Sequence, residues 1–579
     1  MLSFFMKKEL LEFIRKNGLS PFNAKKSGIK HEEGSIYKTK DAKAIHNKVI
    51  GKFASNFRFA DTSSLLGFFE FTDKEDEIKR RQTFFSEIKD KIENGFLDKI
   101  GVPKKWWRPK YSIVVVTEDD KTFIELQKLG CPVKFLVTQS DLDDLESYDI
   151  VQVLDCENFS RALERLPQSV FLDDLDGVYL ERYVQLLSSW TNNINVMKAE
   201  VNDSEIKEII NGFDELMPLL LDKPADSLTR ERVESALSGI NQQVSGEIKK
   251  LTISGDQLFA MFSKSSLPDE LMNIVRKAIY DSGLPQDLFN RVIPVTIDED
   301  ELEKTLKKQS TEEHTTIAES IKKKADKLGK LPEKLQELSD RLLLFDFISG
   351  ISNYIDGTNG YPSLSDELSM DNSSNLFLEK AQPISFHLNE NNKCSILTGA
   401  NSGGKTTLLE HIIQMISLTQ LGLPVRGKVK MPLFTDVYYF AKNKGSMNKG
   451  AFETLLTQMS KINPGKKTLI LADEIESVTE PGVAGAIVSA SAEYFIKQGC
   501  FMVVATHLGK EIQKKLPQNA RIDGIEARGL DEFYELIVDH NPVLGRLANS
   551  TPELIIEKMA NSFKTDYFNF LHEFVKKNK

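Results

Sequence analysis

The sequence predicts a protein of mixed class, α/β plus α, in which helical segments accompany two α/β regions. Short β-branched runs alternate with short helical runs over residues 109–158, and strands alternate with helices again from residue 360 to about 539. The remaining segments follow helical spacing. At 579 residues the chain is too long for one core, since a domain typically holds ~150 residues. We therefore expect several domains.

The composition and the N-terminus indicate which broad classes of protein this chain can belong to. The charged fraction of 28% and the hydrophobic fraction of 40% are those of a globular chain, and no stretch approaches the ~18 apolar residues of a membrane-spanning helix. The N-terminus, "MLSFFMKKELLEFIRKNG", lacks the long apolar run of a secretory signal and predicts an amphipathic helix, so we expect a cytoplasmic protein without a membrane partner. The four cysteines have no zinc-site spacing and fit reduced thiols. The net charge of -10 argues against a uniformly basic nucleic-acid-binding coat but allows a local basic patch.

The pattern divides the chain into five segments. A turn-like "GVPKKWWRPK" ends the first helical segment, and Leu180, Val184 and Leu187 are spaced as on one helix face in the third. Gly329 and Pro332 are expected to break or kink a later helix. The predicted segments are 1–108 (helical), 109–158 (a small α/β insert), 159–359 (helical), 360–545 (an α/β domain) and 546–579 (helical).

"LTGANSGGKTTLLEHI", residues 397–412, contains G-x-x-x-x-G-K-[ST] between Gly399 and Thr406. "CSILTG" predicts a buried strand before the loop and "TTLLEHIIQMIS" a helix after it, which is the context in which such a loop binds phosphates rather than merely turning the chain. Lys405 would reach the β- and γ-phosphates of ATP, and the Thr406 hydroxyl would coordinate Mg²⁺. The predicted nucleotide-binding residues are Gly399, Ala400, Asn401, Ser402, Gly403, Gly404, Lys405, Thr406 and Thr407.

Two acidic residues follow a second apolar strand in "KTLILADEIES". They stand at its carboxyl end, where ligands of parallel sheets bind. Asp473 is expected to coordinate Mg²⁺ together with Thr406. Glu474 is expected to polarise the water molecule that attacks the γ-phosphate. An Asp-Glu pair more often begins a solvated helix, but its position downstream of the phosphate loop favours catalysis.

A histidine ends a third strand, in "CFMVVATHLGKEI". A lone histidine is usually a surface or core residue. At the end of a strand of the same sheet, His507 can instead contact the γ-phosphate or the lytic water. The predicted catalytic residues are therefore Glu474, His507 and Lys405.

These motifs together resemble those of the MutS family of DNA-binding ATPases. "TGANSGGKTT" is similar to the family's T-G-P-N-M-G-G-K-S-T, including Asn401 and the Gly403-Gly404 pair, and "ADEIESVTEPGVAG" and "ATHLGKEI" resemble its D-E-[IL]-G-x-G-T-x-x-x-x-G and A-T-H. "FTDKEDEIKRRQTFFSEI", residues 71–88, is similar to the start of the MutS core. The resemblance implies a helical core with lever arms, an ABC-like ATPase domain with a mostly parallel sheet, ATP and Mg²⁺ as cofactors, and a homodimer joined through residues 546–579.

Two positions depart from the family pattern. "GAF", residues 450–452, stands where the family has Ser-Thr before a Phe in the loop that contacts ATP across the dimer, and Ser446 is a candidate substitute. "ESV", residues 476–478, replaces a glycine-containing turn, although Thr479 remains. The contact across the dimer is therefore an open question.

MutS proteins that read mismatches insert a Phe-x-Glu wedge into DNA from an N-terminal domain. "LGFFEFTD" offers Phe68-Phe69-Glu70, but the 67 preceding residues are too few for that domain and its connector. We therefore expect Phe68 and Phe69 to be core residues rather than a minor-groove wedge, and the chain to resemble the shorter MutS relatives.

Lysines concentrate in the helical stretch 300–345, and the predicted DNA-binding residues are Lys322, Lys323 and Lys324. Such a stretch suits contacts with the phosphate backbone and recognition of shape. Interleaved glutamates fit a solvated helix face equally well, so both interpretations stay open.

The function that the resemblance implies is ATP-dependent DNA binding, in which ATP binding and hydrolysis at paired sites gate a clamp on branched or distorted DNA in repair or recombination. The alternatives are a clamp on ribosomes or structured RNA and classical mismatch binding. An ABC-type or chromosome-maintenance ATPase is disfavoured, because "ETLLTQMSKINPGKK" lacks an L-S-G-G-Q-like signature before the second strand.

Overall fold

The computed structural model divides into two compact units. The first unit contains Met1–Lys99 and Ser339–Lys579, and the second contains Ile100–Leu338. Helices and several parallel sheets are both present, so the mixed class predicted from the sequence is confirmed. The structure describes residues 2–26, 35–69, 71–88, 91–104, 112–128, 131–220, 228–251, 268–399, 403–441, 453, 456–474, 480–530, 536–548, 552–563 and 565–577.

The described α-helices and strands are numbered in chain order. The helices are α1 (Leu2–Lys16), α2 (Lys40–Ala54), α3 (Glu75–Ser86), α4 (Asp120–Lys128), α5 (Ser160–Leu163), α6 (Glu181–Glu200), α7 (Ser204–Asn211), α8 (Arg230–Ile248), α9 (Asp269–Asp281), α10 (Glu299–Lys322), α11 (Ala325–Gly329), α12 (Leu331–Ile355), α13 (Lys405–Leu421), α14 (Pro481–Lys497), α15 (Gly509–Gln513), α16 (Pro552–Phe563) and α17 (Asp566–Lys577). The strands are β1 (Ile113–Thr117), β2 (Val133–Phe135), β3 (Ile150–Val153), β4 (Ser169–Phe171), β5 (Phe289–Asn290), β6 (Thr296–Ile297), β7 (Ser363–Leu364), β8 (Leu368–Ser373), β9 (Ile384–Leu388), β10 (Cys394–Gly399), β11 (Lys428–Met431), β12 (Asp436–Phe440), β13 (Thr468–Asp473), β14 (Phe501–Ala505), β15 (Ala520–Ile525), β16 (Ala527–Leu530) and β17 (Leu536–Val538). None of these helices has the length and apolar character needed to cross a bilayer.

A five-stranded parallel sheet forms the centre of the first unit, in the order β12-β13-β14-β10-β15. Strands β13 and β14 are buried at every position, as expected for strands covered on both faces. Leu397 of β10 and Asp473 of β13 both lie opposite Ala505 of β14. The carboxyl ends of these three strands are therefore level, and the loops that follow them meet at one edge.

A second sheet in the first unit has the order β7-β11-β8-β9. Strand β11 pairs in parallel with β7, whereas the β11–β8 and β8–β9 pairs are antiparallel. The segment that follows residue 360 thus combines the predicted parallel sheet with a mostly antiparallel one.

Helix α13 is the most deeply buried of the described helices in the first unit. Its polar side chains and carbonyl groups form hydrogen bonds with residues far away in the sequence. The Ser417 hydroxyl lies 2.6 Å from the Tyr37 hydroxyl, and the Gln420 carbonyl accepts a 2.7 Å hydrogen bond from Arg81. Gly422, with φ +75°, ends the helix, and a Cβ there would lie 2.3 Å from the Arg81 Cβ. The N-terminal residues therefore pack directly on the helix that follows the phosphate loop.

An extended N-terminal segment, residues 36–39, lies along edge strand β12. The Lys38 amide donates to the Val437 carbonyl at 2.9 Å, and the Val437 amide donates to the Ile36 carbonyl at 2.8 Å. The Thr39 side chain adds hydrogen bonds to both the amide and the carbonyl of Tyr439. This segment covers backbone groups that an edge strand would otherwise expose.

The first unit differs from the predicted segmentation, in which 1–108 and 360–545 were separate. Residues up to Lys99 share one apolar core with the segment that follows residue 360. Phe69 is only 4% exposed, and its ring lies 5.3 Å from that of Phe85 and 5.9 Å from that of Phe347. Phe68, which would be the wedge residue of the Phe-x-Glu pattern, is half-buried against the same core, and its ring lies 5.6 Å from that of Phe13 and 5.3 Å from that of Phe69. Both phenylalanines thus pack in or against the core, as expected.

We expect the stability of the first unit to fall below pH 6.5 because of His411 on α13. Burial lowers the pKa of this imidazole to about 4, and its Nε2 lies 2.9 Å from the Ser373 hydroxyl. As the pH drops from about 6.5 towards 4, the unfolded chain binds a proton at this position that the folded chain does not bind. The free energy of unfolding should then fall by about 3 kcal/mol, measured by urea unfolding followed by circular dichroism.

Replacing His411 by Gln keeps a hydrogen-bonding group there and removes the titration. The pH dependence between 6.5 and 4 should become shallower by one proton, whatever the variant's stability at pH 7. His572→Gln, on helix α17, is the matched histidine control. An unchanged slope for His411→Gln would contradict this assignment.

The second unit contains a parallel sheet in the order β2-β1-β3-β4. Strand β4, Ser169–Phe171, pairs with β3. The sheet therefore extends beyond the predicted end of the α/β insert at residue 158. Its short fourth strand is only partly buried and lacks the alternation that marks a strand in sequence.

The described remainder of the second unit is mainly helical, as predicted, and also contains the short antiparallel pair β5–β6. Val184, Leu187 and Trp190 are buried along α6. The long polar stretch breaks twice, at residues 323–324 and at Lys330, so the predicted interruption near Gly329 is confirmed. Pro332 lies in the first turn of α12, where the missing amide hydrogen has no helical partner to lose.

Candidate ATP site

The predicted phosphate-binding loop lies between β10 and α13. Gly399 has φ +137°, and a Cβ there would lie 2.3 Å from the Ile525 carbonyl oxygen, so this position requires glycine. Gly404, at φ +92°, is the N-cap of α13. Lys405 is 3% exposed and its ammonium donates to the Gly399 carbonyl at 2.7 Å. Ala400, Asn401 and Ser402 lie outside the described residues, whereas Thr407 is half-buried in the first turn of α13.

The two predicted magnesium ligands lie next to each other. The Thr406 hydroxyl donates to Asp473 Oδ2 at 2.6 Å. One hydroxyl and one carboxylate oxygen are the hard donors that Mg²⁺ takes from a protein when phosphates and water complete its shell. The residues present therefore fit this cation. Among the described residues there is no cluster of three or more His, Cys, Asp and Glu that would hold a metal ion without phosphates.

Glu474 and His507 form a pair at the same edge of the sheet. His507 Nε2 lies 2.9 Å from Glu474 Oε1, and the Glu474 amide donates to the Ala505 carbonyl at 2.9 Å. The side chain of Glu474 is 11% exposed and that of His507 is 43% exposed, so the pair lies near the surface with the carboxylate inside. Glu474 has φ +48°, a left-handed conformation that is strained for a residue with a Cβ. Strain of this kind concentrates at functional sites.

His540 is a neighbour of the loop that the sequence did not indicate. Its Nδ1 lies 2.9 Å from the Gly403 carbonyl oxygen, and because a carbonyl only accepts, this nitrogen carries the proton. A Cβ on Gly404 would lie 3.1 Å from the same nitrogen. Nothing in the local pattern "VDHNPV" marks this histidine, which reaches the loop only because the chain returns after β17.

The predicted DNA-binding lysines lie in the second unit. Lys322 donates to the Phe171 carbonyl at 3.2 Å, and Lys324 donates to the Glu215 carbonyl. Lys323 is exposed between α10 and α11. Two of the three lysines thus have partners within the unit, and their role in DNA binding stays a prediction.

The two predicted departures from the family pattern, Ser446 with residues 450–452 and residues 476–479, lie outside the described residues.

Comparison with known proteins identifies several relatives that carry the name MutS2. The chain is 29% identical over 571 residues to the DNA-binding protein MutS2 of Pyrococcus furiosus, a match that covers 93% of this chain and 99% of that protein. It is 24% identical over 331 residues to the endonuclease MutS2 of Caldanaerobacter subterraneus and 25% identical over 323 residues to that of Finegoldia magna. Each of these two matches covers 53% of this chain and 40% of the endonuclease. No family model matches the chain.

The motifs around the candidate site and the match over 93% of this chain both indicate similarity to the MutS family. The resemblance does not stop at the phosphate loop, because it includes the N-terminal residues and the second unit. The similarity to the MutS family that the sequence indicated is thus confirmed, and the relative that carries it along nearly the whole chain is a MutS2 protein.

Proposed function

We propose that this protein is a MutS-like, Mg²⁺-dependent ATPase whose nucleotide state controls binding to branched or distorted DNA. The observation that carries the proposal is the juxtaposition, at one edge of a parallel sheet, of the Thr406–Asp473 pair and the Glu474–His507 pair beside a phosphate-binding loop. ABC-like architecture of this ATPase domain is part of the proposal. The name of the Pyrococcus relative supports DNA as the partner.

Hydrolysis requires that a water molecule be held and polarised beside the γ-phosphate. Glu474 is the group proposed to accept its proton, and the hydrogen bond from His507 fixes the orientation of the carboxylate. Mg²⁺ held by Thr406 and Asp473 would offset the negative charge that develops on the phosphate oxygens. Lys405 would exchange the Gly399 carbonyl for phosphate oxygens when ATP binds.

ATP acts in this proposal as a conformational switch. A ligand shifts an equilibrium only by its differential affinity for two states, so the ATP-bound and nucleotide-free proteins must bind DNA with different affinities. The homodimer belongs to the same proposal, because the family pairs its ATP sites. Helices α16 and α17 expose Phe563, Tyr567, Phe570 and Phe574 by 57–66%, an apolar aromatic surface of the kind that a second copy would cover.

The test is a binding competition among four-way junction, mismatched duplex, plain duplex and single-stranded DNA, with and without ATP, at a fixed and stated salt concentration. We expect preferential retention of the junction and a shift in its affinity of at least ~5-fold on addition of ATP. Sedimentation equilibrium of the same samples measures whether the chain is dimeric.

Each outcome of the competition separates the alternatives. Equal binding to all four DNAs would overturn recognition of shape. Preference for the mismatched duplex alone would favour classical mismatch binding. Co-sedimentation with ribosomal subunits, together with weak binding to every DNA, would favour the clamp on ribosomes or structured RNA.

A further inference from the structure

A cavity of about 230 Å³ lies in the first unit, away from the phosphate loop. It is enclosed by the end of α2, the end of α12, the chain after β8 and one side of α13. Its volume is roughly that of seven or eight water molecules, which is below the ~300 Å³ of a drug-sized pocket. A ligand of about two fused rings would fill it.

The inner wall of the cavity is apolar and aromatic. Phe53, Met415 and Leu418 line it, and each is about 1% exposed. The ring of Tyr354 also lines it and packs edge-to-face on Phe53, with the centroids 4.9 Å apart. The Tyr354 hydroxyl donates to the Pro424 carbonyl at 2.8 Å. A ligand would therefore contact the ring of Tyr354 rather than its hydroxyl. Such a wall favours a planar apolar molecule.

One polar atom in the lining has an unmet hydrogen-bonding requirement. Asn353 Oδ1 is buried and has no hydrogen-bond partner among the described residues. Buried side-chain oxygens are nearly always hydrogen-bonded, so an exception calls for an explanation. An amide oxygen only accepts, and a ligand that satisfies it must present an N–H or O–H group.

Two cations stand in the more exposed part of the lining. Lys52 and Arg426 are exposed, and neither forms an ion pair with a carboxylate in the part of the chain that the structure describes. Gly357 lies against the guanidinium, where a Cβ would be 2.5 Å from Arg426 Nη2. Glu379 also lines the cavity, which leaves a net positive charge. An anionic group on the ligand would complement it.

We propose that this cavity is a binding site for a small planar anion that carries an N–H donor. The ring lies against Phe53, Tyr354 and Leu418, the donor meets Asn353, and the anionic group meets Lys52 and Arg426. Aromatic carboxylates with a ring N–H have all of these features, and nucleoside monophosphates share the planar ring, the N–H donor and the anionic group. The site is independent of the proposed DNA binding.

Indole-3-acetate is a suitable probe, because it combines a two-ring body, one ring N–H and one carboxylate. Titration calorimetry with the full chain should detect its binding, whereas 1-methylindole-3-acetate, without the donor, and tryptophol, without the charge, should each bind at least 5-fold more weakly. Cytidine 5′-monophosphate, added with the phosphate loop filled by excess non-hydrolysable ATP analogue, is the second probe. Binding of either probe supports the site, and the stronger one identifies the source of the ligand.

Variants of the lining locate the binding. Arg426→Gln and Lys52→Gln, both at exposed positions, should weaken indole-3-acetate at least 5-fold without altering the melting temperature. Lys428→Gln removes the same charge two residues along the chain, at an exposed position outside the lining, and should leave binding unchanged. In Asn353→Leu, methylation of the indole nitrogen should no longer weaken binding.

Two results would overturn the proposal. The first is the absence of binding of both probes to the unmodified chain. The second is an equal loss of affinity in Arg426→Gln and Lys428→Gln, which would indicate a general charge effect rather than a site.

Discussion

Replacing Glu474 with Gln is expected to lower the rate of ATP hydrolysis at least ~100-fold while ATP still binds, since a positioned general base contributes ~10²–10⁴ to a rate. The amide has nearly the shape of the carboxylate and can still meet His507, but it cannot accept a proton from water. Steady-state phosphate release measures the rate. Equilibrium binding of a fluorescent ATP analogue measures the retained affinity.

The matched control for this substitution is Glu493→Gln. Glu493 lies on α14 in an exposed ion pair with Lys497 at 2.7 Å, so the same chemical change occurs in the same unit and away from the site. This variant should hydrolyse ATP at the normal rate. If Glu474→Gln also did so, Glu474 would not be the base, and the chain would use another group or hydrolyse no ATP at this site.

The second large effect is expected from Asp346→Ala, which should lower the free energy of unfolding of the first unit by about 3–5 kcal/mol. Asp346 on α12 is fully buried and accepts hydrogen bonds from the amides of Arg58 and Phe59 at 3.0 Å and from the Thr62 hydroxyl at 2.5 Å. Alanine would leave these three donors without a partner in the interior. Asp346→Asn retains one accepting oxygen and should lose less.

Hydrogen exchange locates the loss. Hydrogen exchange should accelerate most over residues 57–69. Asp356→Ala, an exposed position just after the same helix, is the control and should change stability by less than ~0.5 kcal/mol. Equal losses in the two variants would refute the role of Asp346.

The residues of the candidate ATP site could be proposed from sequence because each of them lies in a short contiguous motif. The glycine loop, Asp473 with Glu474, and His507 each follow a short apolar strand, and parallel strands bring their carboxyl ends to one edge. No comparable sequence pattern predicts that His540 lies beside the loop. It is 137 residues from Gly403, and its position depends on how the chain returns across the sheet.

The pairing of distant segments was equally inaccessible from sequence. Residues 36–39 contain no alternating pattern, and they pair with β12 only because an edge strand 400 residues later offers unpaired backbone groups. The three-residue strand β4 is too short to show a period, which is why the insert extends further than predicted. The lysines of the helical stretch are a further example. The sequence shows how many positive charges this stretch contains, but not that Lys324 donates a hydrogen bond to the Glu215 carbonyl.

The hydrogen bonds between Thr39 and Tyr439 have a consequence for the order in which the chain is made. A ribosome adds about 5–20 residues per second, so the 400 residues between these partners take roughly 20–80 s to synthesise. During that interval helix α2 has emerged, but strand β12 and helix α13, on which it packs, do not yet exist. The apolar side chains of α2 are then without their final partners, which makes this helix a natural client for chaperones that bind nascent chains.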